Sequence, residues 1–300
     1  MDAEIIIKEY QEHLHALGYA DTTVELYHSA LNTFTKYLTA RKITDLRKVD
    51  RQILQDYKSM LMEQKTGMET KALKMRPVKR LFEYLEGNNR LLINPAEGLV
   101  EISRKNRKIP PVLTVAEVKK ILQQPNLSLR IQLRDRTIME ILYSTGIRLN
   151  ELLNLTIYDP DLKEKTLLIR KGKGGKQRLV PLGRNALQYL KEYLKKIRPR
   201  YSGKNPGERT LFLTSSGIPM QPSTVRQAIR NYRIRAGIKK KVSPHTLRRS
   251  CATHMLQQGA DIRYIQKLLG HSRLSTTQLY TKVAPVDVKK THERYHPGNN

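Results

Sequence analysis

A single cysteine, Cys251, among 300 residues excludes an internal disulfide and fits a reducing cytoplasm. No apolar run approaches the roughly 20 residues that a membrane helix needs. The opening stretch, MDAEIIIKEYQEH, is acidic and lacks the pattern of a secretory signal. The chain is therefore expected to be soluble and cytoplasmic. It also lacks a Walker phosphate loop, the Cys/His spacing of a metal site and any acidic cluster, so neither a nucleotide cofactor nor a metal is expected. Acidic residues are scarce: 27 Asp and Glu stand against 56 Lys and Arg, a formal net charge of +29. Such an excess favours a polyanionic partner, most simply nucleic acid.

The charge is unevenly spread. Residues 1–110 hold 19 basic and 15 acidic side chains, and residues 111–300 hold 37 and 12. Two segments with different duties are expected. Their boundary falls in the basic stretch 104–111, where Pro110 and Pro111 disfavour helix. The first segment, 1–103, reads as a bundle of about four helices. Ile5, Ile6, Tyr10, Leu14 and Leu17 form one apolar face, with Gly18 as its stop. Asp21 is expected to cap a helix carrying Val24, Tyr27, Leu31, Phe34 and Leu38, and Asp50 a third. Thr70 opens a fourth, the most basic, with Lys71, Lys74, Arg76, Lys79 and Arg80 available for a phosphate backbone or for solvent.

The second segment, 112–285, mixes helices with a small antiparallel sheet. Thr114 and Glu117 have the spacing of a capping box. Helices are expected over Arg134–Tyr143, Arg184–Lys196, Ser223–Ala236, Thr246–Gln257, Ile262–Leu268 and Thr276–Val283. Thr166–Ile169 and Arg178–Pro181 read as a hairpin, with the basic, glycine-rich stretch 171–176 between them. The tail, 286–300, carries a short amphipathic stretch that docks on a neighbouring copy, packs on its own domain or stays disordered.

Certain residues carry chemistry. Pro244 suits the first turn of a helix, which puts His245 and Arg248 on one face near the positive end of its dipole. Arg148 follows Ser-Thr-Gly and leaves a turn, either towards a cleft or as a surface partner of Glu151. Two arginines from separate segments can hold the oxygens of one phosphate bidentately and stay charged throughout. Lys173, flanked by glycines, can reach a groove or donate a proton, with Lys171 and Lys176 beside it as phosphate contacts. His271 follows a helix-ending glycine, and Tyr280 lies nine residues further on. A tyrosine hydroxyl beside this set is suited to attack a phosphodiester.

The blocks Thr145-Gly-Ile-Arg148-Leu-Asn-Glu151-Leu, Gly172-Lys173-Gly174-Gly-Lys-Gln-Arg178, His245-Thr-Leu-Arg248, Leu268-Leu-Gly-His271-Ser and Ser275-Thr-Thr-Gln-Leu-Tyr280 resemble those of the tyrosine recombinase (phage integrase) family, its Xer-type members most of all. The blocks span nearly half the chain, and their order is more specific than any one of them. Arg249 stands where many relatives have histidine, and Leu149-Asn150 replaces the commoner Val-Ser; neither is a catalytic position.

The resemblance implies a mainly α fold with a small antiparallel sheet: a SAM-like core-binding domain followed by a mixed α/β catalytic domain. It implies that Arg148, Lys173, His245, Arg248 and His271 serve a nucleophile, Tyr280, which forms a 3′-phosphotyrosyl link with a double-stranded DNA site. It further implies a homo-tetramer, or a hetero-tetramer with a related recombinase, on DNA. Without an additional arm-binding domain, the length favours resolution of chromosome or plasmid dimers, with a role in partition and cell division, over integration of a mobile element. A type IB topoisomerase shares the tyrosine chemistry, a DNA-binding regulator needs only the basic faces, and an RNA-binding protein leaves the ordered blocks unexplained.

Overall fold

The computed structural model describes residues 1–99, 102, 111–170, 177–270 and 292–299. The chain divides into two units, Met1–Lys108 and Ile109–Asn300, each with its own core. The linker expected over 104–111 lies, save for Pro111, outside the described residues.

Side-chain caps open two of the helices of the first unit. The Asp2 carboxylate accepts from the backbone N–H groups of Glu4 and Ile5, opening α1 (Ala3–Ala16). Ala3, Ile6, Ile7, Tyr10 and Leu14 are buried, while Ile5 and Leu17 face solvent, so the apolar face is rotated from the expected one. In α2 (Asp21–Ala40) the expected cap fails: Ala20 holds the cap position and Asp21 is the first helical residue. There its carboxylate still favours the positive helix end. Asp50 does cap α3 (Arg51–Glu63), accepting from the Ile53 N–H at 2.8 Å. The last helix, α4 (Met68–Gly87), starts two residues before Thr70 and runs through Pro77, which has no N–H for the Leu73 carbonyl. Burial of Pro77, Val78, Leu81 and Phe82 offsets that loss. Phe34 sits at the centre, with the rings of Tyr57 at 4.9 Å and Phe82 at 6.3 Å edge-on to it. Part of the basic face of α4 is structural. Lys71 donates to the Met62 carbonyl and Lys74 to Gln64, whereas Arg76 is exposed.

The second unit is organised around α6 (Arg130–Thr145), buried along almost its whole length from Leu133 onward. Before it, Thr114 and Glu117 form the expected reciprocal cap at the start of α5 (Val115–Leu122). A single helical turn or so, α7 (Leu149–Leu153), follows α6. The sheet has the order β1 (Pro160–Asp161), β2 (Thr166–Ile169), β3 (Arg178–Pro181), all antiparallel, with Leu167 opposite Val180 and Ile169 opposite Arg178. Two-residue β1 was not expected from sequence; the segment between β2 and β3 lies outside the described residues.

The helix expected over 184–196 is broken into α8 (Arg184–Glu192), a π turn (Tyr193–Ile197) and α9 (Arg198–Ser202). Pro199 denies the Lys195 carbonyl its partner, which disfavours a continuous α ladder. The wider turn brings both Tyr193 and Ile197 into the core. The Tyr193 hydroxyl donates to the Leu211 carbonyl at 3.0 Å and accepts from the Leu213 N–H at 3.2 Å. The unit continues with α10 (Pro222–Arg235), α11 (Pro244–Gln257) and α12 (Ile262–Leu269). Ser243 caps α11 and Asp261 caps α12. The helix expected over Thr276–Val283 lies outside the described residues.

Residues 292–295 form one further helical turn, followed by a 3-10 turn, Pro297–Asn299. This part of the tail packs on its own unit. The buried His292 and His296 rings stack 4.7 Å apart, and their Nε2–H groups donate to the carbonyls of Ser144 and Tyr143 at the end of α6. Among the described residues no helix is long and apolar enough to cross a membrane.

Candidate active site

The end of α12 assembles the site. Gly270 stops that helix with φ +62, the left-handed geometry glycine accepts without strain. The carbonyls of the last turn lack intrahelical partners and sit at the negative end of the helix dipole. Three successive ones each receive a guanidinium. Arg178 Nε donates to Leu268 at 3.2 Å, Arg248 Nη2 to Leu269 at 2.7 Å and Arg148 Nη2 to Gly270 at 3.4 Å.

A second anchor is Glu151, whose side chain is only 4% exposed. Arg178 grips it with two bonds, Nη1 to Oε1 at 3.0 Å and Nη2 to Oε2 at 2.8 Å. Arg148 adds Nη1 to Oε1 at 2.9 Å, and its backbone N–H, at the cap of α7, gives a fourth at 2.8 Å. Burial alone would raise the Glu151 carboxyl. The hydrogen bonds from Arg178 and from the Arg148 backbone outweigh it and hold the group below the usual carboxylate range.

Arg248 has a different setting. It is buried, and its Nη1 donates to the Gly146 carbonyl at 2.6 Å. Burial, then the charges of Arg148 and Arg178, bring its guanidinium down to about 10, still protonated at neutral pH. Arg148 and Arg178 thus share one carboxylate, whose charge Arg248 also feels, and the excess positive charge suits an anionic group such as a phosphate. The chain reaches this arrangement through Gly146, which ends α6 with φ +60; a Cβ there would come within 2.7 Å of the Leu269 side chain.

His245 lies in the first turn of α11, one turn before Arg248, and is exposed. Burial of its inner edge, followed by Arg248, Arg226, Arg249 and Arg148, lowers its imidazole below the ordinary range. It is therefore neutral at physiological pH and able to take a proton.

The structure brings Arg148, His245 and Arg248 together. Lys173, His271 and Tyr280 lie outside the described residues; His271 follows Gly270 directly in the chain. Arg148 does pair with Glu151, but with a buried carboxylate it shares with Arg178. Sequence reasoning missed Arg178 altogether and treated Glu151 only as a surface partner.

Comparison with known proteins identifies the family of the whole chain. The profile of the phage integrase family matches residues 111–286, and that of the phage integrase N-terminal SAM-like domain matches residues 7–89. Tyrosine recombinase XerD of Staphylococcus haemolyticus is 34% identical over 295 residues, covering 98% of this chain and 99% of the relative. XerD of Staphylococcus aureus strain N315 is 35% identical over the same span. Among solved structures, XerH site-specific recombinase bound to difH substrate superposes with a TM-score of 0.67 at 27% identity, covering 87% of this chain and 76% of that one. A lambda integrase dimer bound to a COC' core site shares the fold, with a TM-score of 0.69 at 18% identity over 93% and 100% of the two chains. With that match over most of its length, the chain belongs to the tyrosine recombinase (phage integrase) family of site-specific recombinases.

Proposed function

We propose that the chain recombines two DNA duplexes at a specific site, cutting and rejoining strands through a 3′-phosphotyrosyl intermediate. The observation that carries this reading is the convergence of Arg148, Arg178 and Arg248 on the carbonyls of residues 268–270, immediately before His271 in the chain. Tyr280 attacks the scissile phosphorus in line, and the bond to the 5′ oxygen breaks. Neutral His245 takes the tyrosine proton, and Lys173 gives one to the departing 5′ oxygen. Arg148 and Arg248, with a hydrogen bond from His271, stabilise the charge that grows on the non-bridging oxygens. A 5′ hydroxyl of the partner duplex then attacks the phosphotyrosine and restores both the phosphodiester and the tyrosine. The ester keeps the bond energy, so the cycle needs neither nucleotide hydrolysis nor metal.

The 37 basic against 12 acidic residues of 111–300 supply the phosphate contacts, and the helical unit, 1–103, grips the duplex beside them. Our reading of the role is resolution of chromosome or plasmid dimers in the cytoplasm, by a tetramer of this chain or of this chain with a related recombinase; the likeness to relatives named tyrosine recombinase XerD supports an Xer-type recombinase. Incubation with nicked DNA carrying the site that the chain binds most tightly tests the chemistry. The wild-type chain is expected to form a denaturant-resistant adduct that peptide mapping places on Tyr280, whereas Tyr280→Phe binds without attachment. An adduct on another residue, or none, overturns the mechanism. Sequencing the DNA captured in cells tests the role: one chromosomal or plasmid site is expected, and a scatter of mobile-element ends overturns it.

A further inference from the structure

Arg178 belongs to none of the catalytic roles above, yet it touches Glu151, the Leu268 carbonyl and Gly270, on which the other arginines of the cluster also depend. It opens β3, five residues after Lys173. Its side chain is 14% exposed, and all three of its nitrogens donate inward: two to Glu151 and one to the Leu268 carbonyl. The guanidinium also lies flat against Gly270, where an added Cβ would stand 3.0 Å from its Cζ. One planar group therefore joins three elements remote in sequence: β3, the start of α7 and the end of α12.

Two physical consequences follow. Glu151 is shared, so its charge is not spent on Arg148 alone, and Arg148 keeps positive charge for a phosphate. Arg148 also rests on Glu151 and on Gly270, both of which Arg178 holds in place. We infer that Arg178 is a positioning residue for strand cleavage, acting through Glu151 and the end of α12 to fix the Arg148 guanidinium. The inference rests on the proposed phosphotyrosyl chemistry. Lysine cannot replace it, because a single ammonium lacks the planar fork that serves a carboxylate and a carbonyl together.

The test uses the full chain and a nicked duplex carrying the DNA site that the wild-type chain binds most tightly. Single-turnover adduct formation is followed as a function of DNA concentration for wild type, Arg178→Lys, Arg148→Ala and the double variant. Arg178→Lys is expected to slow the saturating rate by about 10- to 100-fold, the cost of a misplaced group, while the half-saturating DNA concentration stays within about twofold, since few phosphate contacts are lost. The double variant is expected to be no slower than Arg148→Ala alone, because a residue that works through Arg148 has nothing left to position. A substrate with a 5′-bridging sulfur, whose leaving group needs no proton, is expected not to rescue Arg178→Lys. A wild-type saturating rate in Arg178→Lys, a loss in the double variant equal to the product of the two single losses, or rescue by the bridging sulfur overturns the assignment. Absence of any adduct with the wild-type chain overturns the underlying chemistry instead.

Discussion

Replacing Glu151 by glutamine removes the carboxylate that Arg148 and Arg178 share, with little change of shape. The native group accepts four hydrogen bonds, at 2.8, 2.9, 3.0 and 2.8 Å. Glutamine keeps one acceptor oxygen and presents an NH2 to donors that have no lone pair to offer. Breaking a buried ion pair costs about 3–5 kcal/mol. The Arg148 and Arg178 side chains are 27% and 14% exposed, so water screens part of the repulsion and the lower end of that range applies, about 3 kcal/mol. In a unit of this size each kcal/mol moves the midpoint by about 2–4 °C, so the second unit should melt about 6–12 °C lower. Calorimetry of the full chain resolves that transition. Added sulfate should return a larger share of the loss in Glu151→Gln than it adds to the wild type, because the variant pocket holds an uncompensated excess of positive charge. A variant that melts within about a degree of the wild type, or that responds to sulfate no more than it does, refutes the view that Glu151 holds the cluster together.

Gly146→Ala places a Cβ 2.7 Å from the Leu269 side chain at φ +60 and should cost about 2–4 kcal/mol by chemical denaturation. It should also slow adduct formation, since Leu269 holds Arg248; unchanged stability would contradict the described turn. Acid should release the tail. Burial pushes the His292 imidazole down to about 4 from its ordinary 6.5, and that of His296 well below it. The free segment takes up protons as pH falls below 6.5, which the docked segment cannot do until about 4. Docking is therefore at full strength above 6.5 and weakens on the way to 4, by about 3 kcal/mol through His292 alone and further through His296. Hydrogen exchange at Tyr295 and His296 measures this, and protection that stays level over that range excludes it.

Features that depend on neighbours in sequence were legible; those set by distant contacts were not. Asp50 and Thr114 cap their helices because a cap is a bond to a residue three positions on. Asp21 misled because Ala20, with no acceptor of its own, occupies the position that sequence assigned to it. Nothing inside the run 184–196 announces the π turn: Pro199 lies just beyond it, and the Tyr193 hydroxyl meets Leu211 and Leu213 only in the folded unit. In the site, Arg148, His245 and Arg248 stood out through their order in recognisable blocks. Glu151 did not: an acid three residues after an arginine reads alike whether solvent or a second arginine lies beyond it. Its burial is decided by Arg178 and by the end of α12, more than a hundred residues later. Arg178 was hidden for the same reason, being the first residue of an ordinary short strand. The tail histidines carried no local signal, since their acceptors lie at the close of α6.

The three guanidiniums rest on main-chain oxygens at 268, 269 and 270, which every amino acid possesses. Drift among similar apolar side chains at the first two of these positions leaves the acceptors intact. A change of length does not. One residue inserted into α12 turns all that follows by about 100° and advances it by about 1.5 Å, presenting a different trio of oxygens to arginines that have not moved. This stretch should accordingly be permissive to replacement and strict about spacing, the opposite of a site built from side chains alone.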